Sequence, residues 1–219
     1  MQEPSCTGNG YVSQVASPTR ERILDATLAL VQERGFGGTT VTDIEELAGL
    51  SPGSGSFYRH FRSKEEAVRE VYERELERAQ RHRETFERGP VDDPPQALTR
   101  RITEQLDYME RIKPLITLLA REHGRFPDLE AKIGRSLLDQ GITEEADHLT
   151  RDLHDHPAHG DPRALLAVVI SAITGYHLAR TFFGRSPADV TPERFASTLA
   201  ELIITATLDP PDTPGDKTP

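Results

Sequence analysis

The side chains best suited to chemistry lie close together in GSGSFYRHFRSK, residues 53–64. This block holds three serine hydroxyls, a phenol, an imidazole, two guanidiniums and an ammonium, and no carboxylate. Such donors suit the phosphates and base edges of duplex nucleic acid better than they suit covalent catalysis. Phe57 and Phe61 stand four apart, so on a short helix they pack inward together and leave Ser56, Tyr58, Arg59 and His60 nearer the outer face. Lys64 opens the next helix beside free backbone N–H groups, a place that can hold a phosphate. A second candidate cluster is His154, Asp155, His156, His159 and Asp161 in HDHPAHGDP. These are possible metal ligands, but a Pro/Gly loop supplies no fixed scaffold and the spacing matches no zinc-finger or HExxH pattern. It reads as a flexible polar loop, with a metal-responsive regulator as the alternative and no metal site assigned. No Gly-rich phosphate loop, GxSxG or Cys/His pair supports an enzyme.

The elements that must position the first block read as helices. Ser17 is an N-cap with Pro18 at the first helical position, and Ile23, Leu24, Thr27, Leu28, Leu30 and Val31 form an apolar stripe. Gly35 is placed to end that helix in a left-handed conformation. Thr40 with Asp43 three residues on starts a second helix whose inner face is Val41, Ile44, Leu47 and Ala48, with Gly49 as terminator. A third, short helix is predicted over roughly 54–61. Ser63 and Glu66 make a second capping box, opening a helix that buries Val68, Val71, Tyr72 and Leu76. A long helix supporting a tightly joined pair is the geometry that carries a helix into a major groove about 12 Å wide.

GPVDDPP, residues 89–95, is a break. Beyond it helices are predicted at about 96–112, 114–123, 128–153, 162–184 and 192–208, with a kink or split where Gly134 and Gly141 weaken the third. The fold class is therefore all-α: a three-helix helix-turn-helix domain at 17–65, then a larger helical domain at 66–208. Residues 1–16 and 209–219 read as a disordered leader and tail, since neither carries an apolar periodicity. The chain has 219 residues and a formal net charge of −10, which argues at first against nucleic acid; the basic block on an acidic body leaves the question open. No apolar run approaches the ~20 residues of a membrane span, no signal peptide is recognisable, and Cys6 is the lone cysteine, so the cytoplasm is expected and no membrane partner.

TRERILDATLALVQERGFGGTTVTDIEELAGL followed by GSFYRHFRSKEEAV resembles the DNA-binding domain of the tetracycline-repressor-like (TetR) regulators over about residues 18–70. The resemblance implies that Thr40 and Thr42 touch backbone or a base edge, that Ser56, Tyr58 and His60 face the groove, and that Tyr58 and Lys64 contact phosphates. Arg59 joins this set on its charge alone, and Ser54 as a possible cap of the reading helix. Two departures stand out: LSPGSGS is about two residues longer than the usual family turn, and Glu45 replaces a small residue that packs against it. The resemblance further implies a homodimer through about 162–184 and 192–208, bound to a near-palindromic operator and released by a small-molecule effector of unknown identity, with no other cofactor. Tyr108, Met109, Leu119, His123, Phe126, Tyr176, His177 and Arg180 are the candidate pocket residues, combining apolar surface with polar tips. The rival readings are a DNA-binding dimer with no effector and a helical ligand-binding or enzymatic module whose head has lost DNA.

Overall fold

The computed structural model describes residues 17–85, 93–144 and 161–208. Within them every regular element is helical. The leader, the tail and the 154–160 part of the histidine loop fall outside the described residues. The chain divides into two compact units, one ending at Val71 and the other beginning at Tyr72. The division falls six residues beyond the sequence-based boundary, inside a helix rather than at its start.

In the first unit α1 spans Pro18–Gly38 and buries Ile23, Leu24, Ala26, Thr27, Leu30 and Val31. Thr27 sits in this stripe without penalty because its Oγ1 donates to the Ile23 carbonyl at 2.7 Å. Gly35 adopts φ 75° with ψ 167°, so its positive φ is as expected but its ψ is not that of a left-handed helical cap. Only glycine occupies that region readily, and the chain uses it to kink and make one more turn through Gly38. α2 spans Val41–Leu47 and starts with a complete capping box: the Thr40 side chain accepts from the Asp43 N–H, and Asp43 accepts from the Thr40 N–H. Ile44 and Ala48 are buried as expected, whereas Leu47 is exposed and Glu45 is buried in its place. α3 spans Lys64–Glu84, crosses the division between the units, and buries Val68, Val71, Tyr72 and Leu76. Ser63 caps it through the Glu66 N–H at 3.1 Å, but Glu66 reaches back to the Arg62 N–H at 2.5 Å, one residue earlier than a standard box.

In the second unit α4 spans Pro94–Arg111, α5 Lys113–Arg121 and α6 Pro127–Gly134. The weakness foreseen at Gly134 and Gly141 is realised between them: residues Arg135–Gln140 form a π-turn, and helix continues over 141–144. α7 spans Pro162–Phe183, with Asp161 as N-cap accepting from the Arg163 and Ala164 N–H groups, and α8 spans Pro192–Leu208. α4 packs most extensively against α8 and also against α7. Leu106, Ile112, Leu115 and Leu118 from α4–α5 and Leu166, Val169, Ile173, Ala196, Leu199 and Ile203 from α7–α8 are all buried. The opposite face of α7 is not: Val168 is 65% exposed, and Ala164, Ala167, Ser171 and Gly175 lie open along the same side. Leu202 and Ala206 on α8 are exposed too.

Candidate nucleic-acid interface

The helix expected at 54–61 is reduced to a single 3₁₀ turn, Phe57–Arg59. Gly53 and Gly55 both take positive φ, 71° and 72°, which breaks any helix that would have begun at Ser51 or Ser54. Ser54 does not cap the turn; its Oγ meets the Ser56 Oγ at 2.7 Å and accepts only a long bond from the Ser56 N–H at 3.3 Å. Ser56 occupies the N-cap position and makes no side-chain cap bond either. The cap comes from α2. Glu45, 1% exposed, accepts from the Gly53 N–H at 2.7 Å on one carboxylate oxygen and from the Phe57 N–H at 2.9 Å on the other. The two departures noted in the sequence, the longer turn and the acidic residue, thus answer each other.

Phe57 and Phe61 are buried with ring centroids 5.5 Å apart, and the Arg20 guanidinium lies 4.5 Å over the Phe61 ring while pairing with Glu70. From this anchor Tyr58 projects outward, 60% exposed, with its ring edge-on to Phe57. Arg59, Ser54, Thr40 and Thr42 are exposed, and Ser56 and His60 are half-buried. Thr40 has part of its hydroxyl committed: it accepts from the Asp43 N–H and donates to the Asp43 carboxylate at 2.6 Å. That bond is the chief reason the Asp43 carboxyl lies below its ordinary range.

Residues 23–71 match the family model described as bacterial regulatory proteins, tetR family. The head is similar to that of the TetR family. An HTH-type transcriptional regulator, YerO of Bacillus subtilis, is 30% identical over 105 residues, 48% of this chain and 36% of that protein. The HTH-type transcriptional repressor KstR2 of Mycolicibacterium smegmatis is 46% identical over 59 residues, 27% of each chain. The chain thus spans about a third or less of the length of these relatives. Among solved structures, a transcriptional regulator of Rhodococcus sp. Rha1 superimposes with TM-score 0.62 at 19% identity, covering 90% of this chain and all of that one. The TetR family regulator PfmR of Thermus thermophilus superimposes with TM-score 0.60 at 25% identity, covering 84% of this chain and 98% of that one. The all-α fold, head and body, is therefore TetR-like, while sequence likeness concentrates in the head.

Lys64 of this TetR-like head stands differently from expectation. Its ammonium donates to the carbonyls of Phe36 at 2.7 Å and Thr39 at 2.5 Å, and lies 4.1 Å over the Phe36 ring. It ties the start of α3 to the end of α1. Nothing local in the sequence announces this, because the partners are 25 and 28 residues away.

In the body, a cavity of about 400 Å³ opens among α4, α5, the π-turn, α7 and α8. Of the eight candidate pocket residues, Tyr108, Met109 and Leu119 line it. The other five candidates do not. Phe126 packs on Tyr72 at 5.6 Å in the core, and His123 is exposed and pairs with Glu130. Tyr176 stacks on Phe195 at 4.2 Å and donates to the Val190 carbonyl at 2.7 Å, with Arg180 5.9 Å over its ring. His177 is buried, 3.4 Å from Glu110 and 3.3 Å from the Thr181 hydroxyl; burial holds its pKa below the ordinary imidazole value, against the opposing pull of Glu110. The walls that sequence periodicity missed are largely aliphatic, including Leu98, Ile102, Ile133, Leu137 and Val169, with Arg83, Arg101, Glu104 and Glu144 as polar members. Arg83 donates to the Ser136 carbonyl at 3.2 Å within the π-turn and pairs with Glu144 at 3.3 Å. Burial raises the Tyr108 phenol above its usual range, so it stays protonated and can serve a ligand as a donor. Among the described residues no group of three metal-ligating side chains occurs, and of the histidine loop only Asp161 is described, spent as a helix cap.

Proposed function

We propose that this chain is a DNA-binding transcription regulator that acts as a homodimeric repressor and is released by a small apolar molecule. The observation that carries the DNA-binding part is the family head with its anchored aromatic pair and the outward row Tyr58, Arg59, Thr40 and Thr42. A 3₁₀ turn presenting a phenol and a guanidinium beside two hydroxyls offers phosphate contacts from several points, and these fix register while fewer contacts read bases. Two heads on one duplex require two chains. The uncovered sides of α7 and α8, with Val168, Gly175, Leu202 and Ala206, supply apolar area of the kind a second copy buries. Repression follows the printed role of the KstR2 relatives.

The effector reading rests on the body cavity. Its volume lies in the range that holds small ligands, and aliphatic walls with a few charged members suit a molecule with an apolar bulk and a polar end. Such a ligand lowers DNA affinity by its differential affinity for the two states of the dimer. Random-sequence duplex selection with the full chain tests the first claim: enrichment of a near-palindrome is expected, and no enriched sequence refutes it. A thermal-shift screen of medium-chain acyl and aromatic acids tests the second. A compound that raises the melting temperature and weakens operator binding is expected. Stabilisation with unchanged operator affinity refutes the release mechanism.

A further inference from the structure

We propose that Glu45 is the positioning residue of the DNA-reading turn, acting as an N-cap supplied from the preceding helix and thereby setting operator discrimination. This rests on the DNA-binding reading above. A helical turn leaves its first N–H groups without internal partners, and a short side chain at the N-cap position normally takes them. Here that position is Ser56, which makes no such bond, and Ser54 is engaged with Ser56. The buried Phe57 N–H would be orphaned, and an orphaned buried donor is rarely tolerated. Glu45 answers from twelve residues back, and its second oxygen takes the Gly53 N–H on the other side of the double-glycine loop. One carboxylate therefore holds both ends of the longer loop: it pins the loop at Gly53 and the turn at Phe57. Tyr58 and Arg59 follow directly on Phe57, so their placement over a groove depends on where this carboxylate stands. Glu45 is 1% exposed, too deeply buried to touch a base itself.

Such a residue affects discrimination rather than general attraction. Phosphate attraction depends on charge and survives small displacements, whereas base contacts depend on geometry. The test uses the full chain and four forms: wild type, Glu45→Gln, Glu45→Ala, and Glu45→Ala with Gly53 and Ser54 removed, which restores the usual turn length beside a small residue. Two quantities are read: the ratio of affinity for the selected operator over a random duplex at fixed salt, and amide exchange at Phe57, with Gly53 followed in the three full-length forms. Glu45→Gln and Glu45→Ala are expected to speed Phe57 exchange at least about tenfold and to lower the ratio about tenfold, the size of one lost charge-assisted bond. Random-duplex affinity and its salt slope stay as in wild type. The shortened variant recovers most of the ratio. Faster exchange with an unchanged ratio overturns the proposal, leaving Glu45 a stabilising group only. So does an equal loss on operator and random duplex, or unchanged exchange. A wild type that enriches no operator refutes the DNA-binding reading instead, while the exchange data still report on the cap.

Discussion

Replacing Lys64 with methionine separates a residue that holds the head together from one that grips DNA. The substitution keeps the apolar stem and removes the ammonium. Two charge-assisted bonds, to the Phe36 and Thr39 carbonyls, are lost together with the ammonium's position over the Phe36 ring. Hydrogen bonds to charged groups contribute about 1.5–3 kcal/mol each and a partly exposed cation–π contact about 0.5–1 kcal/mol. The site is only half-buried, so water replaces part of what is lost, and a total of about 2–4 kcal/mol is expected. For a unit of this size that lowers the melting of the head by roughly 10 °C or more. Amide exchange of Ile44 and Phe57 follows the head specifically. Binding to every duplex weakens through the unfolded fraction, and the dependence of log affinity on log salt keeps its slope at temperatures where the head is folded. A phosphate-gripping lysine behaves oppositely, with unchanged melting and a slope reduced by about 0.9. That second result would refute the structural assignment of Lys64 and return it to the DNA interface.

Tyr58→Phe removes one exposed hydroxyl and leaves the edge-on ring in place, so operator affinity is expected to fall several-fold, roughly 1 kcal/mol, with no change in melting temperature; a drop in melting would show the hydroxyl to be structural. Val168→Glu puts a charge in the uncovered face of α7, and sedimentation at micromolar concentration is expected to show monomers where the wild type shows dimers; a dimer that persists places the interface elsewhere. His177 is held neutral by burial, so the unfolded chain takes up its proton at about 6.5 while the folded one resists. Its contribution to stability is therefore full above about pH 6.5 and lost as pH falls through the depressed folded value. Denaturation midpoints measured from pH 7.5 to 5 should decline, and His177→Gln should flatten part of that decline; identical pH profiles would discard the assignment.

Much of the head was legible because its signals are local. The Thr40–Asp43 box, the Ser63 cap and the Phe57–Phe61 pair each rest on residues three or four apart, and helical geometry alone makes them meet. A break in the third helix of the body was foreseeable because two glycines seven apart bracket it, though not that it takes the form of a π-turn. What escaped was set by contacts distant in sequence. Glu45 meets Phe57 twelve residues on, Lys64 meets Phe36 twenty-eight residues back, and both change the job a residue type suggests. The cavity was read with the same difficulty. Periodicity says that a side of α7 is apolar, but Tyr176 and His177 turn to the core and Val169 to the cavity because of what α4 and α8 present to them.

Three helical beginnings in the head already face carboxylates of their own chain: Asp43 at the Thr40 N–H, Glu45 at the Phe57 N–H and Glu66 at the Arg62 N–H. A helix start is ordinarily an inviting place for an anion, with partial positive charge and idle donors. In this chain those invitations are taken. On the proposed DNA-binding reading, a phosphate approaching these amides meets a carboxylate already bound there, and the expected partners are groups that protrude: the phenol of Tyr58 and the guanidiniums of Arg59 and Arg62. On that reading the grip on a duplex is concentrated in a few long side chains instead of being shared with the backbone.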